Sequence, residues 1–148
     1  MPNIRLATAQ DRDVAIELVR RLLAELGGTP APAEEMAPVF GRLADDGFSG
    51  FIVLAEQETG TFTAVCTVSY VDALRSAGRY AIIQEMYVDS SVRSAGVGME
   101  VLRFALDHAV ARGCAMVELG TPFHGERQIQ FYQRAGFANV GARLRWHP

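Results

Sequence analysis

Residues 93–98 read Arg93-Ser94-Ala95-Gly96-Val97-Gly98, and their setting constrains the fold more than any other feature of the chain. Before them runs an apolar stretch, residues 80–88, with the composition of a strand, and after them residues 99–112 carry helical periodicity. A strand that feeds a glycine loop opening a helix points several backbone N–H groups, and the positive end of the helix dipole, at one spot. That arrangement suits a phosphate or pyrophosphate. Gly96 and Gly98 have no Cβ to hold a ligand off, and both can take left-handed backbone angles. Alone, an R-x-x-G-x-G match is a weak signal, because a helix-start turn with two glycines reads the same way.

A second motif follows after another short strand pattern: Phe131-Tyr132-Gln133-Arg134-Ala135-Gly136-Phe137. In this order and context, over residues 82–137, the two motifs resemble the GNAT superfamily of acetyl-CoA-dependent N-acetyltransferases. The resemblance implies an α/β (α+β) fold with a mixed, mostly antiparallel central sheet flanked by helices, and acetyl-CoA as co-substrate without a metal. It implies that Arg93, Ser94, Ala95, Gly96, Val97 and Gly98 hold the pyrophosphate of coenzyme A, and that Tyr132 stands near the thioester as general acid. Two departures stand out. Many members carry Lys or Arg at or next to Ala95, so coenzyme A is expected to be held here by backbone and dipole more than by charge. Gly125 occupies the place of an asparagine that meets the cofactor in many members, so that contact is expected to be missing or supplied otherwise, by Thr121 or His124.

At 148 residues, 49% apolar and 21% charged, the chain reads as one globular domain spanning residues 1–148. A net charge of −3 offers no basic face for nucleic acid or a membrane surface. The longest uncharged stretch, residues 59–71, is too short to span a bilayer, and the N-terminus lacks signal-peptide zones, so the expected location is cytoplasmic. Cys66 and Cys114 fall in or beside strand patterns and read as small core residues. The three histidines are scattered, with no zinc-type spacing and no P-loop lysine or G-x-S-x-G elbow.

Along the chain, residues 4–7 form a short strand pattern and Thr8-Ala9-Gln10-Asp11 a capping box for a helix with apolar residues at 15, 18, 19, 22, 23 and 26. Gly27-Gly28 stops it. A second helix is expected over 33–45, a hairpin of strands over 51–56 and 62–71, strands over 80–88 and 115–119, and helices over 98–112 and 126–135. His108 reads as lying on the polar side of the longer of these two. Residues 137–146 read as one strand, or two broken near Gly141.

Acetyl transfer to an amine needs a base for the ammonium proton, donors for the developing oxyanion, and help for the departing thiolate. Glu85 is the candidate base. Period-two alternation puts Ala81, Ile83 and Tyr87 on its side and Ile82, Met86 and Val88 on the other, so its carboxylate must meet water, a substrate or a cation such as Arg79. Oxyanion donors are expected from the backbone N–H of Tyr87 or Val88. The edge formed by Met86, Tyr87 and Val88 can pair with the pantetheine amides as a neighbouring strand would.

The composite expectation is an N-acetyltransferase acting on a primary amine of a small molecule by direct attack in a ternary complex, with a homodimer left open. The alternatives are a protein lysine or N-terminal acetyltransferase, and a non-catalytic coenzyme A-binding module. Glu34, Glu35, Asp45, Asp46 and Asp72 lie in the variable segments; they would suit a cationic acceptor, but a solvated face is the reading preferred for them.

Overall fold

The computed structural model describes residues 1–122 and 125–148. In chain order these form β1 (Asn3–Leu6), α1 (Arg12–Glu25), α2 (Ala33–Ala44), β2 (Gly50–Glu56), β3 (Phe62–Ala73), β4 (Gly78–Val88), α3 (Val97–Ala111), β5 (Val117–Leu119) and α4 (Glu126–Arg134). The five strands make one sheet in sequence order. The first four pair antiparallel, and β5 joins β4 in parallel, with Ala81 opposite Val117 and Ile83 opposite Leu119. This is the mixed, mostly antiparallel sheet that the motifs implied. No helix among the described residues is long and apolar enough to cross a membrane.

The capping box forms. Asp11 accepts from the Thr8 N–H at 2.7 Å, and the Arg5 guanidinium, reaching from β1, grips the same carboxylate at 2.7 and 3.0 Å. Those hydrogen bonds from Arg5 hold the Asp11 carboxyl down at about 2. The sheet buries both faces. Leu18, Val19 and Phe40 of α1 and α2 pack on Leu54 and Val65, while Val101, Leu102 and Ala105 of α3 pack on Val53 and Cys66. Cys66 and Cys114 are buried free thiols, as expected, and burial pushes Cys66 up to about 12. His108, expected on the polar side of α3, instead sets its ring 4.5 Å from that of Phe51, and burial lowers its pKa.

Two features of the sheet depart from the sequence reading. Thr67 pairs with Glu85 but Val68 pairs with Ile83, so Gln84 is the extra residue of a β-bulge. One extra residue reverses the alternation of side chains beyond it. Ala81 and Ile83 therefore share the α3 face with Met86 and Val88, and Tyr87 joins the core under α1 and α2. Glu85 shares a face with Tyr87 but not with Ala81 and Ile83. The pairing of β4 with β5 also stops at Ile83, leaving the far end of β4 with an open edge.

The second departure is the strand expected over residues 137–146, which does not form. Among the described residues, no backbone hydrogen bond ties 138–148 to the sheet. The chain leaves α4 through Gly136, at a left-handed φ of 103°, and Val140, Leu144 and Trp146 stand in solvent.

Candidate active site

Where β4 and β5 part, a cleft of about 910 Å³ opens. Its walls are the end of α1, residues 83–88, the start of α3, residues 119–122 and one side of α4. The glycine loop forms its floor. Asp89 turns the chain out of β4 by accepting from the Ser91 N–H at 2.9 Å and its hydroxyl at 2.6 Å. Gly96 caps α3 with φ of 83°, a left-handed angle that L side chains rarely adopt, and the space its Cβ would take is open. At Gly98 a Cβ would stand 3.2 Å from Val88 and 3.5 Å from Phe131, so close packing requires the glycine. The N–H groups of Gly96, Val97, Gly98 and Met99 have no backbone acceptor among the described residues.

Not every loop residue is placed alike. Ser94, Gly96 and Gly98 line the cleft, Val97 is buried beneath it, and the Ala95 N–H is spent on the Val92 carbonyl at 3.1 Å. The Arg93 guanidinium reaches across the strand end: Nε donates to the Val88 carbonyl at 2.8 Å and Nη2 to both oxygens of Glu25 on α1, each at 2.8 Å.

The open edge of β4 has a definite polarity. The N–H groups of Glu85 and Asp89 both point to β3, the first to the Thr67 hydroxyl and the second to the Thr63 carbonyl. By alternation the Tyr87 N–H also points to β3, and those of Met86 and Val88 face the cleft. Of the two oxyanion donors read from the sequence, Val88 is thus on the open side and Tyr87 is not.

Glu85 lines the cleft and accepts a short hydrogen bond from the Thr67 hydroxyl, which in turn accepts from the Glu85 N–H at 3.1 Å. Burial raises its pKa, and the Thr67 bond opposes that rise in part. No cation forms an ion pair with it among the described residues; Arg79 stacks over Tyr70 at 4.4 Å instead.

Tyr132 is half-buried and lines the cleft from α4. The motif around it is a helix stop. The Phe137 N–H bonds the Tyr132 carbonyl at 3.1 Å, the Gly136 N–H bonds that of Gln133 at 2.9 Å, and the Phe137 ring closes on Tyr132 with centroids 5.7 Å apart. This Schellman cap with its apolar contact fixes the tyrosine ring. Burial, then the neighbouring Cys66, raises the phenol's pKa, so it keeps its proton throughout the neutral range.

Several lining residues escaped the sequence reading. Arg127, Gln130, Phe131 and Arg134 face the cleft at helical spacing on α4, and Glu25 faces it from α1. Thr67 hides inside an apolar run, where nothing in the pattern sets it apart. Of the residues offered in place of the missing asparagine, Thr121 lines the cleft and His124 lies outside the described residues. At Gly125 a Cβ would stand 2.7 Å from the Gln128 side chain. Glu34, Glu35, Asp45, Asp46 and Asp72 are exposed and none lines the cleft, which favours the solvated face.

The chain is similar to known proteins in sequence and in fold. The sequence profile of the Acetyltransferase (GNAT) family matches residues 6–137. Glucosamine 6-phosphate N-acetyltransferase 1 of Oryza sativa subsp. japonica is 30% identical over 127 residues, 83% of this chain and 74% of its own. The crystal structure of glucosamine-6-phosphate N-acetyltransferase from Arabidopsis thaliana superposes with a TM-score of 0.80 at 26% identity, covering 99% of this chain and 98% of that one. A predicted acetyltransferase from Clostridium acetobutylicum, solved with acetyl-CoA, shares the fold with a TM-score of 0.83 at 20% identity, covering 99% of this chain and 96% of that one.

Proposed function

This chain belongs to the GNAT acetyltransferase family, whose members are acetyl-CoA-dependent acyltransferases, and from that premise we propose that it acetylates a primary amine of a small molecule by direct attack in a ternary complex. The observation that carries the reading is Glu85: a half-buried carboxylate oriented by Thr67, with no cation paired to it among the described residues, opening into the same cleft as Tyr132 and the free amides at the start of α3. The relatives named for glucosamine 6-phosphate support a small acceptor.

In this reading the pyrophosphate of acetyl-CoA sits over the N–H groups of Gly96, Val97, Gly98 and Met99, where the α3 dipole favours negative charge. Arg127 and Arg134 add the positive charge that Ala95 does not supply. The pantetheine amides pair with the Met86 and Val88 edge. The acceptor nitrogen attacks the thioester carbonyl; a new C–N bond forms, the C–S bond breaks, and the surplus proton on nitrogen passes to Glu85, directly or through water. Val88, nearer the glycine loop, meets pantetheine, which leaves the Met86 N–H, next to Glu85, as the oxyanion donor on the open side.

Tyr132 serves the leaving sulfur as a hydrogen-bond donor. An alkyl thiol titrates near ~8.5, well below a phenol at ~10, and burial widens that gap. Complete proton transfer from Tyr132 is therefore uphill, while a hydrogen bond to the developing thiolate is favourable at no such cost.

The test is to incubate the protein with acetyl-CoA and a panel of amines, amino sugars, amino acids and lysine peptides while following thiol release. Turnover on a small amine supports the reading; turnover on peptides alone, or binding of coenzyme A with no release on any amine, overturns it.

A further inference from the structure

The open end of β4 has two faces, and they are furnished differently. On the α3 face, Phe131 and Tyr132 of α4 join one cluster with Met86, Val88 and Val97. Arg127, Phe131 and Arg134 recur along α4 at the spacing of a single helix face, and all three line the cleft. The Arg134 guanidinium lies 5.9 Å from the centre of the Phe131 ring, which itself packs beside Gly98. Neither arginine has an ion-pair partner among the described residues. The unpaired positive charge of the cleft thus stands with the glycine loop, where an anionic cofactor is held.

Glu85 opens on the other face, which it shares with Tyr87 and the core under α1. The apolar stripe of α1 lies over that core. Its buried members are Ala15, Leu18 and Val19; it continues through Leu22, which packs against the same core, and ends at Leu26, which is 53% exposed. Leu22 and Leu26 both line the cleft. This stripe outruns the core it serves and leaves apolar surface uncovered in the cleft that holds the carboxylate.

Charge on this face is sparse. Three arginines line the cleft; two belong to α4, and the third, Arg93, is committed to Glu25 and to the Val88 carbonyl. Glu25 is engaged by the same contact. Among the described residues that leaves Glu85 as one unbalanced negative charge, with no free cation beside it. A phosphate on the acceptor would meet no counter-charge here, and a second ammonium would meet no second free carboxylate.

We propose that the acceptor is a primary amine carried on a short arm by an uncharged apolar body, as in an arylalkylamine, an assignment that rests on Glu85 being the group that faces the acceptor. The ammonium meets Glu85 and the body lies along Leu22 and Leu26. Glucosamine 6-phosphate, after which the plant relatives are named, is then a poor ligand of this chain.

The experiment is calorimetry on the protein saturated with coenzyme A, which has no acetyl group to transfer. The complex is titrated with 2-phenylethylamine, glucosamine and glucosamine 6-phosphate, for the parent, Leu26→Asn and Leu26→Met. Leu26 is half in solvent at the helix end, so neither substitution disturbs the core. Expected is tightest binding of 2-phenylethylamine, weaker binding of glucosamine and weakest of its phosphate. Leu26→Asn should weaken 2-phenylethylamine by ~10-fold, as loss of a large apolar contact does, while Leu26→Met retains it. Coenzyme A affinity should be equal in all three proteins. Three results overturn the proposal: no binding of 2-phenylethylamine, glucosamine 6-phosphate bound as tightly or more so, or indifference to Leu26→Asn. Binding is read without any transfer, so the two readings fail separately. An amine that binds as expected but is never acetylated supports this pocket and sinks the proposed activity, whereas acetylation of glucosamine 6-phosphate in preference to 2-phenylethylamine does the reverse.

Discussion

The far end of β4 and the segment after Gly136 are both extended chain with unpaired backbone, yet they differ in every other respect. Met86, Tyr87 and Val88 are anchored by β3 on one edge and by core on both faces, so the free N–H groups of Met86 and Val88 stand in fixed positions. Residues 138–148 have neither ladder nor core. A rigid open edge is preorganised and favours a small extended ligand, because little order remains to be imposed on binding. A loose segment with an apolar face has all of that order still to gain. Unpaired backbone thus carries different meanings according to what holds its other side.

The rigid region gives the largest expected effects. Gly96→Asp keeps the fold, since the site is open and aspartate tolerates a left-handed angle better than most residues, but it puts a negative charge where the phosphates bind. Coenzyme A binding should disappear from calorimetry; unchanged affinity in a folded variant would move the phosphate site elsewhere. Glu85→Gln should leave that affinity in place and lower turnover by ~10²–10⁴-fold, as loss of a general base does.

The same substitution should make the protein more stable. Glu85 has its pKa raised by burial, so its carboxylate disfavours the fold when ionised. The parent is expected to lose stability relative to Glu85→Gln as pH rises through and above the ordinary glutamate range, near ~4.3, and to match it below. Denaturant titrations at several pH values check this.

Much of the rigid region was legible in the sequence, for a physical reason. The glycines at 96 and 98 suit a left-handed angle and a close contact, and Phe131 to Phe137 spells out a helix stop whose last ring packs on Tyr132. Local geometry of that kind leaves a residue signature. The bulge at Gln84 leaves none, because it is a property of two paired strands. It went unseen and with it the true face of Glu85 and the role of Thr67. Glu25 looked like any solvated helix residue until tertiary structure brought Arg93 to it. Residues 138–148 show the reverse case: their alternation reads plainly as a strand, but a pattern cannot supply the neighbouring edge that a strand needs.

Tyr132→Phe gives a smaller effect. A hydrogen bond to a charged sulfur is worth ~1.5–3 kcal/mol, or about 10- to 150-fold in the chemical step. The loss should shrink for an acyl donor with a more acidic thiol; equal slowing for both donors would separate Tyr132 from the leaving group. Its ring packing with Phe131 and Phe137 is retained, so thermal stability should hardly change. Last comes Asp11→Asn, far from the cleft. Loss of the Arg5 grip should lower stability by about 1.5–3 kcal/mol at neutral pH. Because the folded Asp11 titrates at about 2 against an ordinary 3.8, that difference should fade as pH falls through this window.

The central claim is that the buried carboxylate on the bulged strand takes the proton from the acceptor. It is tested most directly by the pH dependence of kcat/KM for the amine, measured for the parent and Glu85→Gln at saturating acetyl-CoA. The account predicts an acid limb in the parent, displaced above the ordinary glutamate range by burial, and its disappearance in the variant. Two parallel profiles, shifted in height or not at all, would contradict it and leave Glu85 as a residue held by Thr67 for the sake of the bulge.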